Sequence, residues 1–191
     1  MLFHRMFGLK LTWEFKNEQT KKATNTVFVL LNQFSFLDTM VVPILPVPRL
    51  RGILNIEFGF YPVLGWFLMI SNFVIVRQWP SQAKRVLNRT SAFLKRGGNM
   101  AISIEGKRSK DGTLNEYKKG PVVMAIQNQS DIVPFIIRGT YEALPMKSFY
   151  PKPGDISITF LDPISTKDLT YEDRNELKNR LLEIAYENGL V

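Results

Sequence analysis

Two short stretches of this chain carry the residue types of acid–base chemistry and anion binding. Asn32-Gln33-Phe34-Ser35-Phe36-Leu37-Asp38 follows the β-branched apolar run Thr26–Leu31, and Glu105-Gly106-Lys107-Arg108-Ser109 follows the apolar run Met100–Ile104. Each has a plain structural account. Ser35 fits a helix N-cap with Asp38 near its N3 position, and Lys107, Arg108 and Lys110 fit a solvated turn. What favours a site is shared context: both stretches follow apolar strands, which places both at the carboxyl edge of a parallel sheet, where α/β folds build their sites.

The elements that must position them follow from periodicity. Thr26–Leu31 reads as a strand, and Ser35 opens a helix through Val42 that Pro43, Pro46 and Pro48 break. A weaker strand over Gly52–Ile56, a helix over Tyr61–Ile70 and a strand over Phe73–Val76 come next, the last running into Arg77. Ser81–Arg96 places Ala83, Val86, Leu87, Thr90 and Leu94 at helical spacing and stops at Gly97-Gly98. Met100–Ile104 is a buried strand, Gly120–Gln127 a helix, and Ile132–Ile137 and Ile156–Phe160 further strands. Tyr171–Asn188 closes the chain as a helix, capped by Thr170 with Asp173 and lined inside by Leu177, Leu181, Ile184 and Ala185. Strands alternating with helices predict a single α/β domain, with a mostly parallel sheet flanked by helices over residues 26–191, preceded by an N-terminal segment over residues 1–25.

With 191 residues, 45% of them hydrophobic, the chain is long enough for one full core. Lys and Arg number 25 against 17 Asp and Glu, a formal charge of +8 that favours an anionic partner: nucleic acid, a lipid surface or a phosphate-bearing ligand. Cysteine is absent and His4 is the single histidine, which excludes disulfides, thiol nucleophiles and zinc-finger spacing. No Lys- and Arg-dense reading helix is present, so nucleic acid is the weakest of the three partners. Met1–Leu11 alternates apolar residues with Arg5 and Lys10 and lacks a signal-peptide core, which argues against secretion. It reads either as a short amphipathic helix in a membrane interface or as a frayed or core-docked terminus. Phe58–Val76 carries no charge over nearly the 20 or so residues of a membrane span. Gly59, Pro62, Gly65, Ser71 and Asn72 interrupt it, and a span would put the two motifs on opposite sides of a bilayer. An apolar helix dipping into one leaflet and an ordinary core helix both remain open.

Over Thr26–Asn188 the chain resembles the glycerolipid acyltransferases, the family of the lysophosphatidic acid acyltransferases. The family pattern Asn-His-x-Ser-x-x-Asp is matched at Asn32, Ser35 and Asp38, with Gln33 at the histidine position. The second block is matched at Ile75 and Arg77, the third at Glu105, Gly106, Arg108 and Ser109 with Lys107 departing, and the fourth at Pro134 after Ile132-Val133. The resemblance implies transfer of an acyl group from an acyl thioester, acyl-CoA or acyl carrier protein, to the hydroxyl of a lysophospholipid or glycerol phosphate. It implies no metal and no bound cofactor, and a peripheral place at the cytoplasmic face of a membrane. In this family a histidine takes the hydroxyl proton and the aspartate orients its ring. Arg77 and Arg108 would hold the acceptor phosphate, Lys107 would add a point charge, and Gly106 would let the backbone approach. Glu105 would bond the glycerol hydroxyl or position Arg108. Gln33 has no proton equilibrium near neutral pH, so the resemblance implies either an acyltransferase with impaired turnover or a silent homologue that holds phospholipid or acyl-CoA. His4 is a poor substitute base, and Asp38 at its ordinary pKa is poorly matched to an alcohol.

Overall fold

The protein is described here by a computed structural model over residues 8–55, 64–75, 80–145, 148 and 150–191. Seven strands form one sheet: β1 (Leu9–Phe15), β2 (Thr26–Leu30), β3 (Leu50–Asn55), β4 (Phe73–Ile75), β5 (Asn99–Ser103), β6 (Asp131–Arg138) and β7 (Gly154–Phe160), in the order β1-β7-β6-β2-β5-β3-β4. Every neighbouring pair is parallel except β6 with β7. The largely parallel sheet is thus as the alternation of strands and helices predicts.

The helices are α1 (Phe36–Val41), α2 (Leu64–Ser71), α3 (Pro80–Lys95), α4 (Gly120–Asn128), α5 (Thr140–Ala143) and α6 (Arg174–Glu187). They cover both faces, which explains why β2 is apolar without alternation. Val27 and Val29 pack on one face with residues of α3, α4 and α6, while Phe28 and Leu30 pack on the other with Leu37 and Val41 of α1. Phe160 fills the second face, stacked on Phe15 at 4.3 Å and on Phe135 at 5.6 Å between ring centroids.

Most elements stand within a residue or two of their expected bounds. The helix opening after Ser35 ends one residue earlier than expected, at Val41: Pro43 continues it as a 3₁₀ turn over Val42–Ile44, because proline lacks the N–H an α-helix needs. Thr170 and Asp173 form the expected capping box, with a 3₁₀ turn over Tyr171–Asp173 leading into α6. Among the described residues the strand β1, the 3₁₀ turn over Glu18–Lys22 and the single turn α5 have no counterpart in the periodicity. Leu9–Leu11 belong to strand β1 rather than to an interfacial helix. Met1–Phe7, with His4, lie outside the described residues, as do Ile56–Val63 and the Val76–Trp79 segment that holds Arg77. Among the described residues no helix is long and apolar enough to cross a membrane.

Pro134 occupies the middle of a central strand, where proline ordinarily removes a ladder bond. Its carbonyl accepts Leu161 N–H at 2.9 Å, just past the end of β7, so its nitrogen faces the side where the antiparallel ladder stops.

Gly139 introduces α5 at φ +86°, and a Cβ there would run into the backbone carbonyl of Asp155. A Gly139→Ala chain is expected to lose more than about 1 kcal/mol of stability, measured by urea unfolding, because neither its φ nor the facing backbone can yield cheaply.

Candidate active site

β2 and β5 are neighbours, and the chain leaving their carboxyl ends goes to opposite faces, through α1 on one and α4 on the other. Diverging connections leave a crevice at such a switch point. Both motifs lie there, and they grip one another. Gln33 N–H donates to Glu105 Oε1 at 2.6 Å, and Ser109 N–H donates to the Gln33 carbonyl at 2.8 Å. The backbone of Gln33 is therefore held on both sides by the second motif, independently of its side chain.

Glu105 is buried, and its other oxygen accepts Asn115 N–H at 2.8 Å and Asn115 Nδ2 at 2.6 Å. Burial raises its pKa above the usual carboxylate range, opposed by the bonds from Asn115 and Gln33. Both oxygens are thus committed to protein N–H groups, and the carboxylate positions loops. Tyr117 adds a second tie, its hydroxyl donating to the Leu31 carbonyl at 2.7 Å.

Asn32 extends β2 with its amide alone: Nδ2 donates to the Ile137 carbonyl at 2.6 Å, and Ile137 N–H donates to Oδ1 at 3.1 Å. Ser35 caps α1, accepting Leu37 N–H at 3.2 Å and donating to the Leu144 carbonyl at 2.7 Å. Asp38 closes the capping box as expected. Its Oδ2 accepts the N–H groups of both Phe34 and Ser35 at 2.8 Å.

Its Oδ1 is buried, as are Gln33 Oε1 and the Thr140 hydroxyl, and among the described residues none of the three atoms meets a partner in full hydrogen-bond geometry, although the Thr140 hydroxyl stands close enough to Asp38 to act on it. Burial drives the Asp38 pKa up to about 7, although the Thr140 hydroxyl and the two backbone N–H groups pull the other way and Glu105 adds a like charge. The sequence alone assigns Asp38 an ordinary carboxylate pKa; the fold overturns that. Gln33, Asp38 and Gly106 line one cavity of about 230 Å³, whose walls continue along Leu30, Leu54, Ala101 and Phe135. Gly106 takes φ +68° with no atom close to where a Cβ would stand, so its backbone faces open space. Lys107 is exposed and Arg108 half-buried, and among the described residues neither forms an ion pair. Ser109 turns inward, donating to Asp111 Oδ1 at 3.1 Å and accepting Gly112 N–H at 3.1 Å. Among the described residues no three His, Asp or Glu side chains gather as metal ligands.

The site thus unites Gln33, Asp38 and the Glu105–Ser109 turn. Pro134 stays one strand away and supports from within the sheet, opposite Val29 of β2. Sequence reasoning missed Asn115, Tyr117 and Thr140, which come from a loop and a one-turn helix without periodicity; the only signal was the proximity of Asn115 and Tyr117 to the second motif.

Comparison with known proteins decides what scaffold this is. A family model described as "Acyltransferase" matches residues 12–138. The chain belongs to the acyltransferase family. Curated relatives include a 1-acyl-sn-glycerol-3-phosphate acyltransferase of Cocos nucifera, 28% identical over 91% of this chain and 58% of that protein. An uncharacterized acyltransferase of Schizosaccharomyces pombe is 30% identical over 96% of this chain and 67% of its own length. The chain therefore spans little more than half of the coconut protein. Among solved structures, the 1-acyl-sn-glycerophosphate (LPA) acyltransferase PlsC of Thermotoga maritima superposes with a TM-score of 0.75, covering 94% of this chain and 70% of that one at 22% identity. At that identity the likeness is one of fold. Family membership agrees with the resemblance carried by the motif blocks, of which the first and third meet at the switch point of the mostly parallel sheet.

Two measurements probe this acyltransferase site. Glu105→Ala strands the Gln33 and Asn115 N–H groups and is expected to cost about 2 kcal/mol or more in urea unfolding. Asp38 offers a pH test. Its folded pKa of about 7 lies above its ordinary value of 3.8, so its stabilising contribution is complete below pH 3.8 and lost as pH rises through 7. Asp38→Asn should therefore gain on the parent chain by up to about 1.4 kcal/mol per pH unit between pH 5 and 7, then level off.

Proposed function

We propose that this domain carries a lysophospholipid acyltransferase site, transferring an acyl group from an acyl thioester to a glycerophospholipid hydroxyl, and that Gln33 leaves it with little turnover. The observation that carries the reading is the clasp of Gln33 between Glu105 and Ser109, at the mouth of a cavity that Asp38 also lines. In the reaction the acceptor oxygen attacks the thioester carbonyl carbon, the new C–O bond replaces the C–S bond, and the thiolate leaves. The hydroxyl proton must go to a base. A glutamine amide does not accept it near neutral pH, and loss of a positioned base typically costs about 10² to 10⁴ in rate.

The other residues keep a physical sense. Arg108, half-buried and without an ion-pair partner among the described residues, suits the acceptor phosphate, with Lys107 beside it in the solvent and Gly106 leaving space where a side chain would stand. Arg77 belongs to the same proposal through the family block alone. Supporting roles fall to Asn32, Ser35, Ser109 and Pro134, whose bonds shape the loops. The donor is acyl-CoA or an acyl carrier protein thioester, and the acceptor lies in a membrane surface at the cytoplasmic face. A second reading is favoured by Gln33 itself: a silent homologue that holds phospholipid or acyl-CoA without turning it over.

The deciding experiment is acyl transfer from palmitoyl-CoA to lysophosphatidic acid in micelles. Gln33→His is expected to raise the rate by about 10² or more, and adding Asp38→Asn to reverse most of that gain, since the carboxylate then no longer orients and balances an imidazolium. No transfer by Gln33→His, with lysophosphatidate binding that weakens on Arg108→Ala, selects the silent homologue. Neither transfer nor binding rejects both.

A further inference from the structure

On the face of the sheet opposite α1, a groove of about 570 Å³ opens between β3, β4 and α3, and four of its wall residues are arginines: Arg49, Arg51, Arg89 and Arg96. All four are exposed, and among the described residues none forms an ion pair. Four guanidinium groups gathered with no carboxylate among the described lining residues repel one another, and a folded chain retains such an arrangement where an anion offsets it.

The cations are set in place by aromatic faces. Arg51 lies over Phe73 at 5.4 Å and over Phe93 at 5.1 Å, and Arg49 lies over Phe93 at 5.8 Å. Arg49 takes φ +49°, a left-handed conformation that a side-chain-bearing residue adopts at a cost. The buried Asn99 enforces it: Asn99 N–H donates to the Arg49 carbonyl at 3.0 Å, and Asn99 Nδ2 donates to the Pro48 carbonyl at 2.8 Å. Arg89 on α3 and Arg96 in the turn just past its end lie one turn to either side of Phe93, whose carbonyl accepts Arg96 N–H at 3.2 Å. Such a pre-arranged fork geometry suits phosphate oxygens.

The rim identifies which phosphates. Met69 lines the groove, and Trp66 and Ile70 share its face of α2 by helical spacing, 64% and 82% exposed. A tryptophan and a large aliphatic side chain standing in water beside clustered arginines match the interfacial zone of a bilayer, where rings sit at headgroup depth and guanidinium groups reach phosphates. A soluble polyphosphate gives no account of Trp66 and Ile70. We propose that the arginine groove and the Trp66–Ile70 rim form a docking face for an anionic lipid surface, the headgroup phosphates seated among Arg49, Arg51, Arg89 and Arg96. Asn72 gives the face a link to the reaction chamber, because it lines both the groove and the cavity that holds Gln33 and Asp38, with its Oδ1 accepting Gly52 N–H at 2.6 Å.

This assignment deepens the lipid-surface part of the proposed function and is read without turnover, so its failure and failure of acyl transfer are separate results. The test is flotation of the full chain with vesicles of phosphatidylcholine alone or with 30% phosphatidylglycerol, at about 0.1 M salt. Anionic vesicles should bind the parent chain far more tightly than neutral ones. Arg89→Ala with Arg96→Ala should weaken that binding about 30-fold, taking roughly fivefold per cation near an anionic surface. A control with the same loss of charge, Lys152→Ala with Lys167→Ala, should weaken it clearly less. Trp66→Ala, which leaves charge unchanged, should also lower binding. Equal binding to neutral vesicles, an unchanged affinity of the arginine variant, or a control that loses as much overturns the proposal. Free CoA binding that the arginine variant abolishes, with vesicle binding intact, also overturns it and gives the groove to a soluble nucleotide.

Discussion

Gln33 is pinned from both sides by hydrogen bonds that cross from one loop to the other. One arises from a buried carboxylate, Glu105, and the other from a backbone N–H, that of Ser109. The crevice between β2 and β5 depends on this clasp, because it is what fixes the backbone of Gln33 against the Glu105–Ser109 turn, while Asn32 and Ser35 tie the first loop to Ile137 and Leu144. The charge on Glu105 makes the first bond stronger than an amide pair, and burial removes water as a competitor. Asn115 completes the carboxylate's shell, so the clasp leaves no unpaired oxygen on Glu105. Since the grip is on the backbone, residue 33 can change identity while its main chain stays in place. A scaffold of this kind can lose its base without losing its fold.

Asp38 shows the complementary principle. One of its oxygens is fully used in starting α1, which ties the residue to structure; the other is buried beside the Thr140 hydroxyl, in a residue that also lines the cavity. A cationic imidazole at position 33 would bring such a carboxylate back into the charged state, by the same Coulomb attraction that lets it orient the ring. With glutamine there, no positive charge offsets the burial, and the carboxyl titrates near neutrality. The raised pKa is thus the mark of a carboxyl that burial strips of water.

The two faces of the sheet divide the labour. On one, α1 and the aromatic group around Phe160 border the cavity; on the other, α3 and β3 raise a cationic groove. Asn72, at the start of the edge strand β4, belongs to both. The candidate site and the cationic groove thus lie on different faces of one sheet, joined through Asn72.

Much of this was legible in the residues. Periodicity located β2, α3, β5, β6 and α6, since an apolar stripe at period 2 or 3.6 is a local property, and the caps Ser35–Asp38 and Thr170–Asp173 were readable because a capping box needs only three residues of separation. The motif blocks identified the family for the same reason. The strand β1 and the turn α5 were not legible, as β1 alternates too weakly and pairs with a strand 145 residues away, Leu9 against Gly154. The pKa of Asp38 was not legible either: it depends on how completely helices and loops exclude water, a sum over distant parts of the chain. Nor was the arginine groove, whose members come from a turn, a strand and a helix separated by some 40 residues. Residue types and short spacings therefore determined the kind of chemistry and the scaffold. Solvent exclusion and the meeting of distant segments, which only the folded chain brings about, decided how Gln33 and Asp38 are held and where the positive charge collects.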